Sequence, residues 1–110
     1  MVDKILTQAG FVLNETYKET RFLNPPKVTY AVYNDSYESR GADNLNLIKE
    51  HDITIEVYSY VADKATEKNI EDVLDALGIE YVKQERFWIQ AEQLYQVIYE
   101  FSYIEKGGKN

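Results

Sequence analysis

Cysteine is missing from all 110 residues, which rules out disulfides and any zinc site built on thiolates. Histidine occurs once, as His51, and proline only as the adjacent pair Pro25-Pro26. The five glycines stand apart except for the terminal Gly107-Gly108. No G-x-x-x-x-G-K or G-x-G-x-x-G loop occurs, so the backbone cradles that hold nucleotide phosphates are missing. No run approaches the roughly 20 apolar residues of a membrane span. The first residues lack the charged-then-apolar layout of a signal peptide. The expectation is a soluble protein, without a membrane partner, that stays inside the cell that makes it.

Basic charge is the other shortage. Twelve Lys and Arg face nineteen Asp and Glu, a formal net charge of −7. Phosphate-binding surfaces draw affinity from clustered cations that displace counterions. Here the cations are scattered, so a grip on nucleic acid is not expected, although an acidic wall that DNA slides past is compatible. What the chain has in plenty is tyrosine, ten residues of it. A phenol joins a large apolar face to a polar tip, which suits half-buried sheet faces and subunit interfaces. Length and balance, with 45% hydrophobic and 28% charged residues, point to one globular domain over residues 1–106 and a frayed tail at 107–110.

Val2, Ile5, Leu6 and Ala9 fall at helical spacing, and Gly10 stands where that helix stops. Residues 11–24 are ambiguous, with Phe11-Val12-Leu13 able to begin a strand. After Asn24-Pro25-Pro26, residues 27–33 alternate as a strand that Asn34-Asp35-Ser36 should end. Residues 37–46 look like a long excursion or a loosely paired hairpin arm. A stronger strand follows over 47–60. Asp63 is the expected N-cap of a second helix, carrying Ile70, Val73, Leu74 and Leu77 on one stripe and closed by Gly78. Two strands, about 79–88 and 93–104, complete the chain. The fold class expected is α+β: a mostly antiparallel four- to five-stranded sheet with two helices packed on one face.

The search for chemistry yields little. Glu50 and Asp52 point away from His51 if that segment is a strand, so the Glu-His-Asp run is no catalytic constellation, and a histidine at a polar strand start reads as a surface residue. Glu85 with Glu92, and Glu56 with Glu100, are the pairs a carboxylate-based hydrolase could use, but nineteen acids produce such pairs by chance, and solvated charges explain them. No D-x-D-x-D-G calcium loop occurs. Residues 81–88 interleave cations with aromatics, yet the acid Glu85 lies among them, so packing is favoured over base stacking. The chain reads as non-enzymatic, with no catalytic, metal or cofactor residue. Aromatic surface remains: Tyr95, Tyr99 and Tyr103 share one side of the last strand. Either they form a tyrosine-rich core rim, or the sheet extends across subunits with Trp88 and tyrosines buried between copies.

These residues resemble a family. Pro25-Pro26 followed by residues 28–33 is similar to the opening strand of small tail-terminator proteins of long-tailed phages and prophages of Gram-positive bacteria. Gly41-Ala42-Asp43-Asn44 looks like their Ala-Asp-Asn loop. Ile55-Glu56-Val57-Tyr58, leading into residues 67–74, resembles their strand-to-helix segment, and Ile79-Glu80-Tyr81 with residues 88–101 their closing hairpin. The similarity covers about residues 25–104 and lies in packing and turn patterns. It implies an α+β subunit that assembles with copies of itself into a ring, commonly a hexamer. That ring caps the tail tube and joins it to the head, meeting tube and head-connector proteins while DNA passes ungripped. Assembly would take place in the host cytoplasm, and the finished site would be the virion neck. On this reading Tyr37, Arg40, Asp43 and Asn44 are docking contacts, while Trp88, Tyr95 and Tyr99 form an aromatic edge. Rival readings are another neck or tail component of similar fold, and a monomeric cytosolic binding or regulatory module using the aromatic sheet face.

Overall fold

A computed structural model describes residues 1–41 and 48–106. Helix α1 (Val2–Gln8) leads through Gly10 (φ 106°) to a short strand β1 (Tyr17–Glu19). Two long strands follow, β2 (Tyr30–Arg40) and β3 (Ile48–Ser59), then helix α2 (Lys64–Ala76). Strands β4 (Val82–Lys83), β5 (Phe87–Ile89) and β6 (Leu94–Lys106) complete the chain. The six strands make one sheet in the order β1-β2-β3-β6-β4, with β5 also paired to β6. Among the described hydrogen-bonded neighbours, only β1 with β2 is a parallel pair. The expected α+β class therefore holds, with more strands than expected because the closing segments are short and separate.

One face of the sheet is covered. Val2, Ile5 and Leu6 of α1 and Ile70 and Leu74 of α2 pack on the odd-numbered residues of the long strands. The register stacks these as rows across β2, β3 and β6: Ala31–Val57–Val97, Tyr33–Ile55–Tyr99 and Asp35–Ile53–Phe101. Each fully buried Ile or Leu contributes about 1.5–3 kcal/mol relative to exposure. Even-numbered residues form the opposite, helix-free face.

Helix α2 begins as its sequence dictates. Asp63 accepts a hydrogen bond from the Thr66 N–H at 3.1 Å, and the Thr29 hydroxyl donates to it at 2.6 Å, tying the segment before β2 to the helix start. Burial pushes the Asp63 carboxyl up, but these bonds outweigh it and hold the group below its ordinary pKa. Gly78, at φ 70°, ends the helix in the left-handed region that a β-carbon would strain. Strands β3 and β4 both run antiparallel to β6, hence parallel to each other, with α2 as the crossover.

Three expectations need correction. Asn34-Asp35-Ser36 does not end β2; the ladder with β3 continues unbroken from Tyr30–Tyr58 to Arg40–Ile48. The turn preference of these three residues yields to pairing across the hairpin. Of the expected excursion, residues 37–40 are thus a paired arm. Residues 11–13 do not begin a strand, and contribute only a bridge from Leu13 to Tyr17. Residues 79–88 are not one strand. Val82–Lys83 pairs with Glu100 and Tyr99, whereas Phe87–Ile89 pairs with Gln96 to Leu94, which leaves one extra residue in the chain between them. That bulge puts Lys83 and Arg86 on the same, helix-covered side, although a period of two would separate them.

Candidate interaction surface

The long strands outrun their cover. Strand β1 pairs with β2 only as far as Tyr33, and β4 with β6 only between Tyr99 and Glu100. Beyond those limits β2, β3 and β6 continue as a three-stranded ribbon of residues 35–40, 48–53 and 101–106. Within the described residues no strand pairs with either outer edge of this ribbon, so two rows of backbone donors and acceptors face outward. The molecule is elongated accordingly, 50 × 30 × 23 Å.

His51 sits at the middle of this arm and is 6% exposed, so it is not the surface residue expected. Its ring lies parallel to Tyr103 at 4.4 Å, and Tyr37 covers it at 5.1 Å. Nδ1 is 2.7 Å from Asp35 Oδ1 on β2, and Nε2 is 2.9 Å from Glu105 Oε1 on β6. These two hydrogen bonds are the main reason its pKa is raised, and the slight desolvation by flanking rings does not offset them. The bond from His51 likewise holds the Glu105 carboxyl below its ordinary value. The sequence misses this cluster because Asp35 and Glu105 lie 16 and 54 positions away. Only the sheet register brings them together.

The opposite margin of the sheet carries apolar side chains. Val82 and Phe87 are each 61% exposed and Trp88 37%. Trp88 lies beside Tyr95 at 4.8 Å, and its indole N–H donates to Gln90 Oε1 at 3.0 Å. This margin is fixed from behind by Glu67 of α2, one of the few buried charges. Its carboxylate accepts from Lys83 Nζ at 3.0 Å and from Arg86 Nε at 3.0 Å and Nη2 at 2.7 Å. Burial raises the Glu67 pKa, but the two cations outweigh it and the group stays below its ordinary value.

The helix-free face is acidic along its length. Glu38, Glu50, Asp52, Glu56 and Glu100 lie on it, against Lys18, Arg40 and Lys106. Near its upper end Tyr30 and Tyr58 stack at 5.2 Å, and Phe22 packs edge-on to Tyr30. A hollow of about 220 Å³ beside them is lined by Arg21, Glu56 and Glu92 among others. That is smaller than the roughly 300 Å³ at which small-molecule sites begin. A larger groove of about 820 Å³ runs between the turn after α2 and the ribbon, bordered by Asp52, Glu80, Glu100 and Tyr103. It is open to solvent and not enclosed, and its lining mixes carboxylates with Ile53, Ile79, Val82 and Phe101. Glu56 and Glu100 share this face on adjacent strands but stand in no closed cleft.

Of the docking residues read from the sequence, the two described ones, Tyr37 and Arg40, lie on opposite sides of the arm. Tyr37 is half exposed on the His51 side of the arm, with the Lys49 ammonium 5.2 Å from its ring centre. Arg40 lies on the other side, paired with Glu50 at 3.1 Å. Asp43 and Asn44 fall outside the described residues. Tyr99 is not an edge residue. It has no exposed surface, and its hydroxyl donates to Glu71 Oε2 at 2.7 Å, which places it in the core with nothing to offer a partner. The chain matches no protein-family model and no curated protein sequence.

Proposed function

We propose that this chain is a structural subunit that joins with its own copies into a ring, as tail-terminator proteins of long-tailed phages do, closing the tail tube and meeting the head. The observation that carries this reading is the sheet itself. Among the described residues it offers unpaired strand edges at both margins, one of them lined by the exposed Val82, Phe87 and Trp88. A closed ring needs two different, complementary surfaces on each subunit, and a sheet with an open edge on either side supplies them. The acidic helix-free face supports the same reading, because a wall carrying Glu38, Glu50, Asp52, Glu56 and Glu100 repels phosphate and lets DNA pass without adhering. The resemblance of residues 25–104 to that family is the further support. A monomeric binding module is the weaker alternative, since neither hollow has the enclosed apolar shape that a small ligand needs.

Phe87→Asp with Trp88→Asp tests the apolar margin. Phe87 is 61% exposed, whereas Trp88 is 37% exposed and packs on Tyr95, so the circular dichroism spectrum should stay that of the wild type while the melting midpoint falls modestly. Negative-stain images of concentrated wild-type protein should show rings with a central opening, and the double variant should show none. Rings that survive the two aspartates would remove this margin from the interface.

A further inference from the structure

We infer that His51 is a proton-operated clamp that holds the three strands of the arm together when charged and lets them loosen when neutral. The geometry carries this. The imidazolium has two N–H donors, and each has its own carboxylate: Asp35 on β2 at 2.7 Å and Glu105 on β6 at 2.9 Å. His51 is on the central strand β3, so one ring ties both outer strands to the middle one. A neutral imidazole keeps only one N–H. The other nitrogen then turns a lone pair toward a carboxylate oxygen, replacing attraction by repulsion across one of the two contacts.

The ring has little freedom to escape that conflict. Tyr103 stacks on it with an interplanar angle of 1°, and Tyr37 tilts over it from β2. A change of tautomer would only exchange which carboxylate meets the lone pair, and a flip of the ring would turn its carbons toward both. The charged groups around the site are few. Lys49 lies two positions away on the same side of β3, and its charge and that of the amino group at the start of α1 both favour the Glu105 carboxylate. Asp35 and Glu105 favour the imidazolium. Tyr103, its own hydroxyl pKa raised by burial and then by these two acids, stays neutral.

The arm around the clamp has few other long-range supports. Ile53, Phe101 and Tyr103 join its base to the core. Beyond them it has the backbone ladders, the Arg40–Glu50 pair at 3.1 Å and the Ser102 hydroxyl donating to Asp52 at 2.6 Å. Both outer edges are free among the described residues, and Ser39, Lys49 and Glu105 form the last odd-numbered row. The core rows beneath it rest on α1 and α2 and do not depend on the proton. The sign follows from the raised pKa. The clamp's contribution is complete below the ordinary histidine value of 6.5 and is lost as pH rises through the higher folded value. Such a group titrates where cells and their compartments differ in pH. The inference concerns the arm alone and holds whatever the arm contacts.

Because His51 is the only histidine, its ring resonances can be followed without assignment ambiguity. The experiment is an NMR pH titration of the intact chain, with amide exchange measured at several points and expressed as protection factors, which removes the intrinsic pH dependence of exchange. The titration midpoint should lie above 6.5. Protection of residues 36–39 and 49–52 should fall as pH rises through that midpoint, while Ile70 and Leu74 keep theirs. In His51→Gln the arm should be poorly protected at every pH with the core unchanged, and Asp35→Asn with Glu105→Gln should bring the midpoint down. A midpoint at or below 6.5, or arm protection that is flat across the midpoint in the wild type, overturns the clamp.

Discussion

Replacing Glu67 by glutamine is expected to lower the unfolding free energy by about 3 kcal/mol at neutral pH, the lower end of the range for breaking a buried ion pair. The carboxylate accepts from two nitrogens of Arg86 and from Lys83, which also reaches Glu71 Oε2 at 2.7 Å, and its side chain is 5% exposed. Removing its charge leaves two cations facing an uncharged amide. Arg86 and Lys83 are 26% and 36% exposed, so both can turn partly toward water, which keeps the loss below the upper end of the range. The effect has a pH signature. The Glu67 carboxyl titrates below its ordinary value of 4.5, so its contribution is present above that value and is lost as pH falls through the folded pKa. Urea unfolding of both proteins checks this. Their midpoints should be well separated at neutral pH and converge in acid. Equal stability at neutral pH would show that the β4–β5 segment is held by something else.

Tyr99 should carry a comparable or larger share of the stability. Truncating it to alanine is expected to cost about 4 kcal/mol, as for other buried aromatics in cores that only partly collapse. Its ring is fully buried, packs against Tyr81 at 6.0 Å, and lies in the central row with Ile55. Tyr99→Phe separates the ring from the hydroxyl. That change removes one hydrogen bond to Glu71, which keeps its contact with Lys83 at 2.7 Å, so a loss of about 1 kcal/mol is expected. Denaturant midpoints for the two variants measure the split. A phenylalanine variant as damaged as the alanine variant would mean that the polar contact, and not the ring, dominates.

Local signals in the sequence were sufficient for the helices and the central strand. The stripe of Ile70, Leu74 and Leu77, the Asp63 cap and the Gly78 stop each act within a few residues, and each is where its pattern placed it. Alternation likewise placed Ile53, Ile55 and Val57 on one face. What the sequence concealed depends on partners far away in the chain. Asn34-Asp35-Ser36 reads as a turn until Thr54, Ile53 and Asp52 are set opposite it. His51 reads as a surface residue until Asp35, Glu105 and Tyr103 surround it. Tyr99 and Tyr95 look alike in the strand pattern, but α2 covers only Tyr99 and gives its hydroxyl a partner. The bulge after Lys83 has no glycine or proline to announce it; it is set by Glu67 drawing Lys83 and Arg86 to one side.

The central claim is that the open sheet margins join copies of this chain. Light scattering behind a sizing column, run from dilute protein to the solubility limit, tests it most directly. The account predicts a step from 12.9 kDa to one defined multiple of that mass, absent in the Phe87→Asp, Trp88→Asp double variant. A wild-type chain that stays at 12.9 kDa at every concentration would contradict it.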